Sequence, residues 1–185
     1  MASGGEPMLV VIDMQVVFGD PTSKWFTPGY PRVEPVIGGL VDAFGERVVF
    51  TRFVAPEKPV GAWIPYYELW PFALVAQDDR LYDLTDQARS KGKAIVTETT
   101  FGKWGPDLER AMRGSTEMVL VGVSTDCCVI STALAAADAG IHVRVIADGC
   151  AGLSDADHQR ALDAMALYAP LIEITDSATI LAERA

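Results

Sequence analysis

Three kinds of side chain in this sequence could together perform nucleophilic chemistry: a thiol, a carboxylate and an amine. Cys127 and Cys128 stand side by side after an apolar run, at the start of a helix-forming segment. Unpaired backbone N–H groups and the positive end of the helix dipole favour a thiolate at such a place. Asp13 ends another apolar run, and Lys103 follows a third. Taken singly, a buried cysteine is more often a packing residue and a lysine a surface residue. A lone carboxylate such as Asp13 is about as often a cap or turn residue as a catalytic one.

The combination supplies what acyl transfer through a thioester requires, without a metal or a cofactor. The Asp13 carboxylate can take the thiol proton and return it to a leaving nitrogen, while the Lys103 ammonium favours both anions. Backbone N–H groups in the turn before the cysteine can hold the oxyanion. Because adjacent helix residues point about 100° apart, only one cysteine can face Asp13. Spacing alone leaves open whether that residue is Cys127 or Cys128.

The elements that must position these groups alternate between strands and helices. The pattern predicts strands over 8–12, 47–53, 94–97, 117–121, 142–147 and 171–174, and helices over 33–44, 106–112, 126–139, 154–168 and 177–182. This alternation predicts the α/β class: a three-layer α/β/α fold in which a six-stranded, mostly parallel Rossmann-like sheet carries helices on both faces. Sites in such sheets lie beyond the carboxyl ends of the strands, where the three candidate groups are expected.

Three segments lack a clear periodic pattern. Residues 19–31 are rich in turn formers and are predicted to be a loop, and residues 81–88 predict a weak helix or an irregular segment. Residues 55–72 hold four prolines and five aromatic residues, which predicts a long surface loop. This aromatic loop could be a lid that shapes an apolar pocket and excludes water. It could equally be a subunit interface, where aromatic residues are also enriched.

Length, charge and cysteine content limit the class of protein. The 185 residues fit a single domain over 1–185. A net charge of -10 opposes binding to nucleic acid or to an anionic membrane, so we expect neither as a partner. The charge says nothing specific about the expected small-molecule substrate. No segment approaches the roughly 20 apolar residues of a membrane span, and the N-terminus lacks the basic region of a signal peptide. Three cysteines with an adjacent pair do not form a secreted disulfide framework, so we expect a cytoplasmic protein.

Four motifs resemble those of the isochorismatase-like cysteine hydrolases, a family that includes nicotinamidases and N-carbamoylsarcosine amidases. They read VVIDMQxxF over residues 10–18, TTFGK over 99–103, GVSTDCCV over 122–129 and ADGCAG over 147–152. The segment HxxAL over residues 158–162 is also similar. The motifs stand in the family's order, and the resemblance covers about residues 8–180.

The resemblance implies a triad of Asp13, Lys103 and Cys128, because the family's nucleophile directly precedes the valine of the third motif. It also implies a cis peptide bond at Val123–Ser124, which would turn the N–H groups of Ser124 and Cys128 towards the oxyanion. Members of the family form dimers and tetramers, so a homodimer or homotetramer is expected.

Candidate substrate-binding residues follow from their places in the sequence. Three are neighbours of triad members and two belong to the aromatic loop: Gln15, Phe18, Trp104, Trp63 and Tyr67. Metal-dependent nicotinamidases carry an Asp-x-His motif and a further histidine after the second strand. Residues 51–58 contain no histidine, so we expect no catalytic metal.

These features predict a metal-independent cysteine hydrolase that cleaves the C–N bond of a small amide or ureido compound. One alternative is an isochorismatase-type hydrolase acting on a vinyl ether or another non-amide compound, although the sister group with that chemistry replaces the cysteine. Another is a non-catalytic or redox-responsive protein that keeps the fold, since vicinal cysteines can oxidise even though a disulfide between them is strained.

Overall fold

The six strands form a sheet in which all neighbouring strands are parallel. The computed structural model describes residues 5–184, and of positions 87 and 88 only the backbone, so the ends of the predicted domain over 1–185 lie outside the described residues. The strands are β1 (Met8–Ile12), β2 (Val48–Phe53), β3 (Ala94–Glu98), β4 (Glu117–Val123), β5 (His142–Ala151) and β6 (Ile172–Thr175). Their order across the sheet is β3-β2-β1-β4-β5-β6. The predicted α/β class with a six-stranded sheet is confirmed.

Helices cover both faces of this sheet. They are α1 (Val16–Gly19), α2 (Tyr30–Phe44), α3 (Trp63–Leu69), α4 (Gln87–Ser90), α5 (Pro106–Ala111), α6 (Ile130–Asp138), α7 (Asp155–Ala166) and α8 (Ser177–Glu183). Successive side chains of a strand point to opposite faces. Accordingly, Leu9 and Val11 of β1 pack in one core with α2 and α8, whereas Val10 packs in the other with α5, α6 and α7. Within residues 5–184, no helix is long and apolar enough to cross a bilayer.

Strands β4 and β5 extend further than the sequence predicted, and both extensions border the candidate site. Gly122 has φ 120°, and a Cβ at this position would lie 2.1 Å from the carbonyl oxygen of Ile12. Glycine therefore continues the strand here instead of ending it, because only glycine allows the two backbones to approach so closely. A register shift follows, since Leu120 pairs with Val145 but Gly122 pairs with Cys150.

The aromatic segment predicted to be a loop is partly helical. It contains α3 and a 3₁₀ turn at Pro71–Ala73. Pro65 lies in the first turn of α3, where its missing N–H leaves no helical hydrogen bond unmade. The rings of Tyr66 and Tyr67 pack perpendicular to each other at 5.3 Å between centroids. Aromatic packing thus gives this proline-rich segment a defined structure.

The sheet has a topological switch point between β1 and β4. From β1 the sheet continues through β2 to β3, and from β4 it continues the other way through β5 to β6. Crossovers on opposite sides leave a crevice at the carboxyl ends of the two central strands, where ligands of open α/β sheets bind. Asp13 follows β1 directly, and a turn of π-helix at Thr125–Val129 follows β4.

Candidate active site

A buried ion pair lies in the crevice between β1 and β4. Lys103 Nζ is 3.1 Å from Asp13 Oδ2, and both side chains are fully buried. Nζ also donates to the carbonyl oxygen of Thr100 at 2.6 Å and lies 5.1 Å from the centroid of the Phe53 ring. Asp13 Oδ1 accepts a hydrogen bond from Thr51 Oγ1 at 2.6 Å. Because buried charges persist only when paired and hydrogen-bonded, these contacts fix both groups in position.

Backbone contacts tie the ion pair to the turn that carries the cysteines. Asp13 has left-handed backbone with φ 49°, a conformation that aspartate tolerates better than most residues, and its N–H donates to Thr51 Oγ1 at 3.2 Å. The N–H of Lys103 donates to Thr132 Oγ1 at 3.0 Å. That hydroxyl donates in turn to the carbonyl oxygen of Cys128 at 2.7 Å. Thr132 therefore links the loop of the lysine to the turn of the cysteine.

Cys128 lies beside the ion pair in the π-helical turn. The N–H of Val129 donates to the carbonyl oxygen of Ser124 at 3.1 Å, five residues earlier, and α6 begins only at Ile130. The sequence predicted an α-helix from residue 126, but this wider turn precedes it. The Val123–Ser124 peptide bond is cis. Cys128 is 4% exposed, and burial and then the Asp13 carboxylate raise the pKa of its thiol.

The environment of Cys128 favours the protonated thiol. Burial raises its pKa well above the ordinary value, and the Asp13 carboxylate raises this pKa further, while the Lys103 ammonium opposes both with a smaller effect. The sequence predicted a thiolate from the helix start. In the folded chain, burial and then the neighbouring carboxylate disfavour that thiolate. The thiol proton therefore lies next to a carboxylate that can accept it.

This electrostatic arrangement has a measurable pH dependence. We expect alkylation of Cys128 by iodoacetamide to be slow at neutral pH and to rise at higher pH than for an ordinary thiol, whose pKa is roughly 8.5, because only the thiolate reacts. Asp13→Asn removes the charge that disfavours the thiolate and keeps Lys103, so the rate at about pH 8 should increase. Fragment-ion mass spectrometry can follow Cys128 and Cys127 separately. A profile already complete near neutral pH would contradict this description.

An apolar cavity of about 220 Å³ is lined in part by Cys128. Its walls are mainly aromatic and comprise Phe18, Trp25, Phe53, Tyr66, Trp70 and Phe101. Thr27, Ser124, Cys127 and Leu153 complete the lining with Cys128. Burial, and to a smaller extent Cys127, raises the pKa of Tyr66, so its hydroxyl stays neutral. In the part of the chain that the structure describes, none of these lining side chains carries a formal charge at neutral pH.

Trp25 occupies the centre of the aromatic wall. Its ring lies 5.1 Å from Phe72, 5.8 Å from Phe53 and 6.1 Å from Trp70, in each case edge to face. Such contacts join residues from the turn-rich loop, the end of β2 and the aromatic segment. Each such pair adds roughly 0.5–1.5 kcal/mol beyond the burial of area, so the wall is a packed structure.

Only some of the predicted site residues line the cavity. Phe18 lines the cavity, as does the predicted oxyanion residue Ser124. Gln15 does not line it, and its contact with substrate stays a prediction. Its amide donates to the carbonyl oxygens of Phe53 and Tyr82 at 2.9 and 2.8 Å and accepts from the Phe53 N–H at 2.8 Å. With its hydrogen bonds used in this way, Gln15 holds the end of β2 in place.

The other three candidates also lie outside the cavity lining. The Trp63 ring packs 5.3 Å from the Phe101 ring, and Tyr67 is buried with 3% of its surface exposed. Trp104 packs against the core on the α5, α6 and α7 side of the sheet. For these three residues the contact with substrate stays a prediction. Trp63 packs on Tyr67 and on Phe101, a residue of the cavity wall.

The residues at the end of β2 do not fit a bound metal ion. Thr51 uses its hydroxyl on Asp13, and the Phe53 ring lies against Lys103 Nζ. Over residues 5–184, no group of three or more His, Cys, Asp or Glu side chains is arranged to hold a metal. The donor set needed for a zinc site is thus missing from the described residues.

The chain is similar in sequence to a known family and to a curated relative. A family model described as the isochorismatase domain matches residues 7–178. Isochorismatase domain-containing protein 2 of Xenopus laevis is 36% identical over 72 residues, which are 37% of this chain and 35% of that protein. The match therefore spans about a third of the length of that relative.

Solved structures share the whole fold at low sequence identity. A cysteine hydrolase from Pseudomonas syringae pv. phaseolicola has a TM-score of 0.83 and 19% identity, with coverage of 96% of this chain and 92% of that one. Pyrazinamidase of Pyrococcus horikoshii in complex with zinc has a TM-score of 0.77 and 24% identity, with coverage of 92% and 99%. These values establish a common architecture over nearly the full length.

Proposed function

This chain belongs to the isochorismatase family of hydrolases, and we propose that it is a metal-independent cysteine hydrolase that cleaves the C–N bond of a small, uncharged amide or ureido compound. The observation that carries this proposal is the buried Lys103–Asp13 pair, whose charged atoms are 3.1 Å apart. The pair acts on the thiol of Cys128, and Cys128 lines an apolar cavity. A cysteine hydrolase and a pyrazinamidase among the proteins of similar fold support it.

In the proposed first step, Cys128 Sγ attacks the carbonyl carbon of the substrate while Asp13 takes the thiol proton. A C–S bond forms, and the carbonyl electrons move onto oxygen to give a tetrahedral oxyanion. The backbone N–H groups of Ser124 and Cys128 are the proposed donors to this oxyanion. Asp13 then returns its proton to the nitrogen, the C–N bond breaks, and a thioester remains on Cys128.

Water completes the proposed cycle. Asp13 takes a proton from water as the water oxygen attacks the thioester carbon. The C–S bond then breaks, the acid product leaves, and the sulfur regains its proton from Asp13. Lys103 keeps a fixed positive charge beside the Asp13 carboxylate and beside the thiolate that forms when the C–S bond breaks. While a tetrahedral intermediate exists, the negative charge lies on its oxyanion. Its contacts with Thr100 and Asp13 hold that charge in place throughout.

The cavity favours an uncharged substrate. Its described lining has no cationic side chain, and Lys103 is fully buried and already paired with Asp13. Moving a carboxylate from water into such a site without a partner costs several kcal/mol. An anionic substrate would also place a second negative charge near Asp13. This electrostatic reason favours a neutral amide over the alternative of an anionic vinyl ether.

Matched amides test this proposal. We expect the purified protein to release ammonia from neutral aromatic amides such as benzamide. We also expect kcat/KM to be at least about tenfold lower for 4-carbamoylbenzoate, which adds only a carboxylate, because that charge would be buried without a partner. A coupled ammonia assay on a panel of such pairs measures both. Faster hydrolysis of the carboxylated member of each pair would contradict the proposed substrate class.

A further inference from the structure

We propose that Thr27 determines specificity by forming a hydrogen bond with a neutral polar group of the substrate. The inference rests on the proposed function and narrows its substrate class. The substrate would be an apolar amide that carries one further uncharged hydrogen-bonding group, such as a hydroxyl, an amino group or a ring nitrogen.

The Thr27 hydroxyl is a buried polar group in need of a partner. Thr27 is fully buried and lines the cavity, yet its Oγ1 has no hydrogen-bond partner among residues 5–184. The other three buried threonines of the described residues, Thr51, Thr125 and Thr132, all have hydrogen-bond partners for their hydroxyls. Buried hydroxyls in folded proteins are almost always hydrogen-bonded, and an unpaired hydroxyl at a cavity can take its bond from a water or from a bound molecule.

The backbone holds Thr27 in one position. Its N–H donates to the carbonyl oxygen of Phe18 at 2.9 Å, and its carbonyl oxygen accepts from the N–H of Tyr30 at 2.9 Å. Pro28 follows directly and disfavours helical backbone at Thr27. These restraints mean that little conformational freedom is lost when a ligand binds, which makes the hydroxyl an effective recognition group.

The surroundings of Thr27 decide what kind of group it can recognise. The rest of the described lining is aromatic or apolar, apart from Tyr66 and the segment with Ser124 and the two cysteines. A hydroxyl can donate one hydrogen bond and accept up to two, but it carries no charge that could neutralise an ion. A neutral polar group on the ligand therefore gains a partner at Thr27, while a charged group would stay unpaired.

Two variants separate the hydroxyl from the shape of the side chain. Thr27→Val removes the hydroxyl and keeps a branched side chain of similar size, and Thr27→Ser keeps the hydroxyl. The probes are benzamide and the three isomers of hydroxybenzamide, which carry the hydroxyl at ring position 2, 3 or 4. Binding is measured in a Cys128→Ala background by quenching of tryptophan fluorescence, since Trp25 and Trp70 line the cavity. Hydrolysis is measured by ammonia release with Cys128 intact, and melting temperatures check the fold.

We expect one hydroxylated isomer to bind more tightly than benzamide. Thr27→Val should reduce this preference by roughly tenfold to a hundredfold, because the buried polar group of the probe loses its partner. Thr27→Ser should keep the preference within about threefold, and the affinity for benzamide should change little in either variant.

The outcomes distinguish this inference from the proposed function. A preference that survives Thr27→Val, or a parent protein that prefers no hydroxylated isomer, overturns the inference while hydrolysis of amides can still stand. If Thr27→Val loses the preference for the hydroxylated probe in binding and no probe is hydrolysed, the role of Thr27 in recognition is supported and the proposed hydrolase activity is contradicted. An equal loss of affinity for benzamide and its isomers would assign Thr27 a merely structural position and overturn its part in specificity.

Discussion

Replacing Cys128 by alanine is expected to lower kcat/KM for amide hydrolysis by at least about a thousandfold, because the sulfur atom that forms the thioester is removed. Cys127→Ala keeps this sulfur and alters only a wall of the cavity, so turnover should persist with its main effect on KM. Cys150→Ala is a matched control, since Cys150 is fully buried but lies outside the cavity lining. Ammonia release by the three purified variants measures the effect.

The two adjacent cysteines differ in the carboxylate that each one meets. Burial and then the Asp13 carboxylate raise the pKa of the Cys128 thiol, whereas Cys127 Sγ lies 4.0 Å from Asp126 Oδ2. Burial, followed by Asp126, raises the pKa of the Cys127 thiol, and no lysine acts on it in the way that Lys103 acts on Cys128 among the described residues. If Cys128→Ala stayed active and Cys127→Ala did not, the assignment of the nucleophile would be wrong.

Asp13→Asn is expected to have two large effects. It removes the group that carries the proton, which should lower kcat by about a hundredfold to ten-thousandfold. It also leaves the Lys103 ammonium buried without its counter-charge, which should lower the free energy of unfolding by about 3–5 kcal/mol. Urea unfolding and the ammonia assay measure the two effects on the same protein.

A second substitution separates stability from chemistry. In Asp13→Asn with Lys103→Met, the unpaired charge is gone, so much of the lost stability should return, as it does when a buried pair is replaced by uncharged residues. Activity should not return, because the proton carrier is still missing. Activity within about tenfold of the parent in Asp13→Asn would show that another group carries the proton.

The framework of the site follows from local sequence patterns. Short apolar runs predicted the six strands, and their alternation with helices predicted the parallel sheet. The sheet in turn brings the end of β1 close to the end of β4, so Asp13 and the cysteine turn become neighbours. The elements that carry Asp13, Lys103 and Cys128 were therefore within reach of sequence reasoning.

The walls of the cavity depend on contacts between distant segments, which local patterns do not encode. Trp25 and Thr27 lie in a turn-rich stretch, and only the packing of Trp25 on Phe72 and Phe53 identifies it as a wall residue. Thr51 looks like an ordinary strand residue, and its bond to Asp13 follows from the register in which Val11 pairs with Phe50. The density of aromatic residues was the one signal that pointed to Tyr66 and Trp70.

The protonation state of Cys128 shows the same limit. A helix start after a strand is visible in the sequence and favours a thiolate. The opposing effects are the 4% exposure of the side chain and the carboxylate beside it, and both exist only in the folded chain. Their sum reverses the direction of the pKa shift that was predicted from the sequence.

Acid quenching during turnover tests the central claim most directly. A neutral amide that the protein hydrolyses is mixed with it, the reaction is stopped with acid, and fragment-ion mass spectrometry locates any acyl group. We expect the mass of the acyl group on Cys128 of the parent protein and its absence in Cys128→Ala. Steady hydrolysis with no acyl group on Cys128, or with the acyl group on Cys127, would contradict the account.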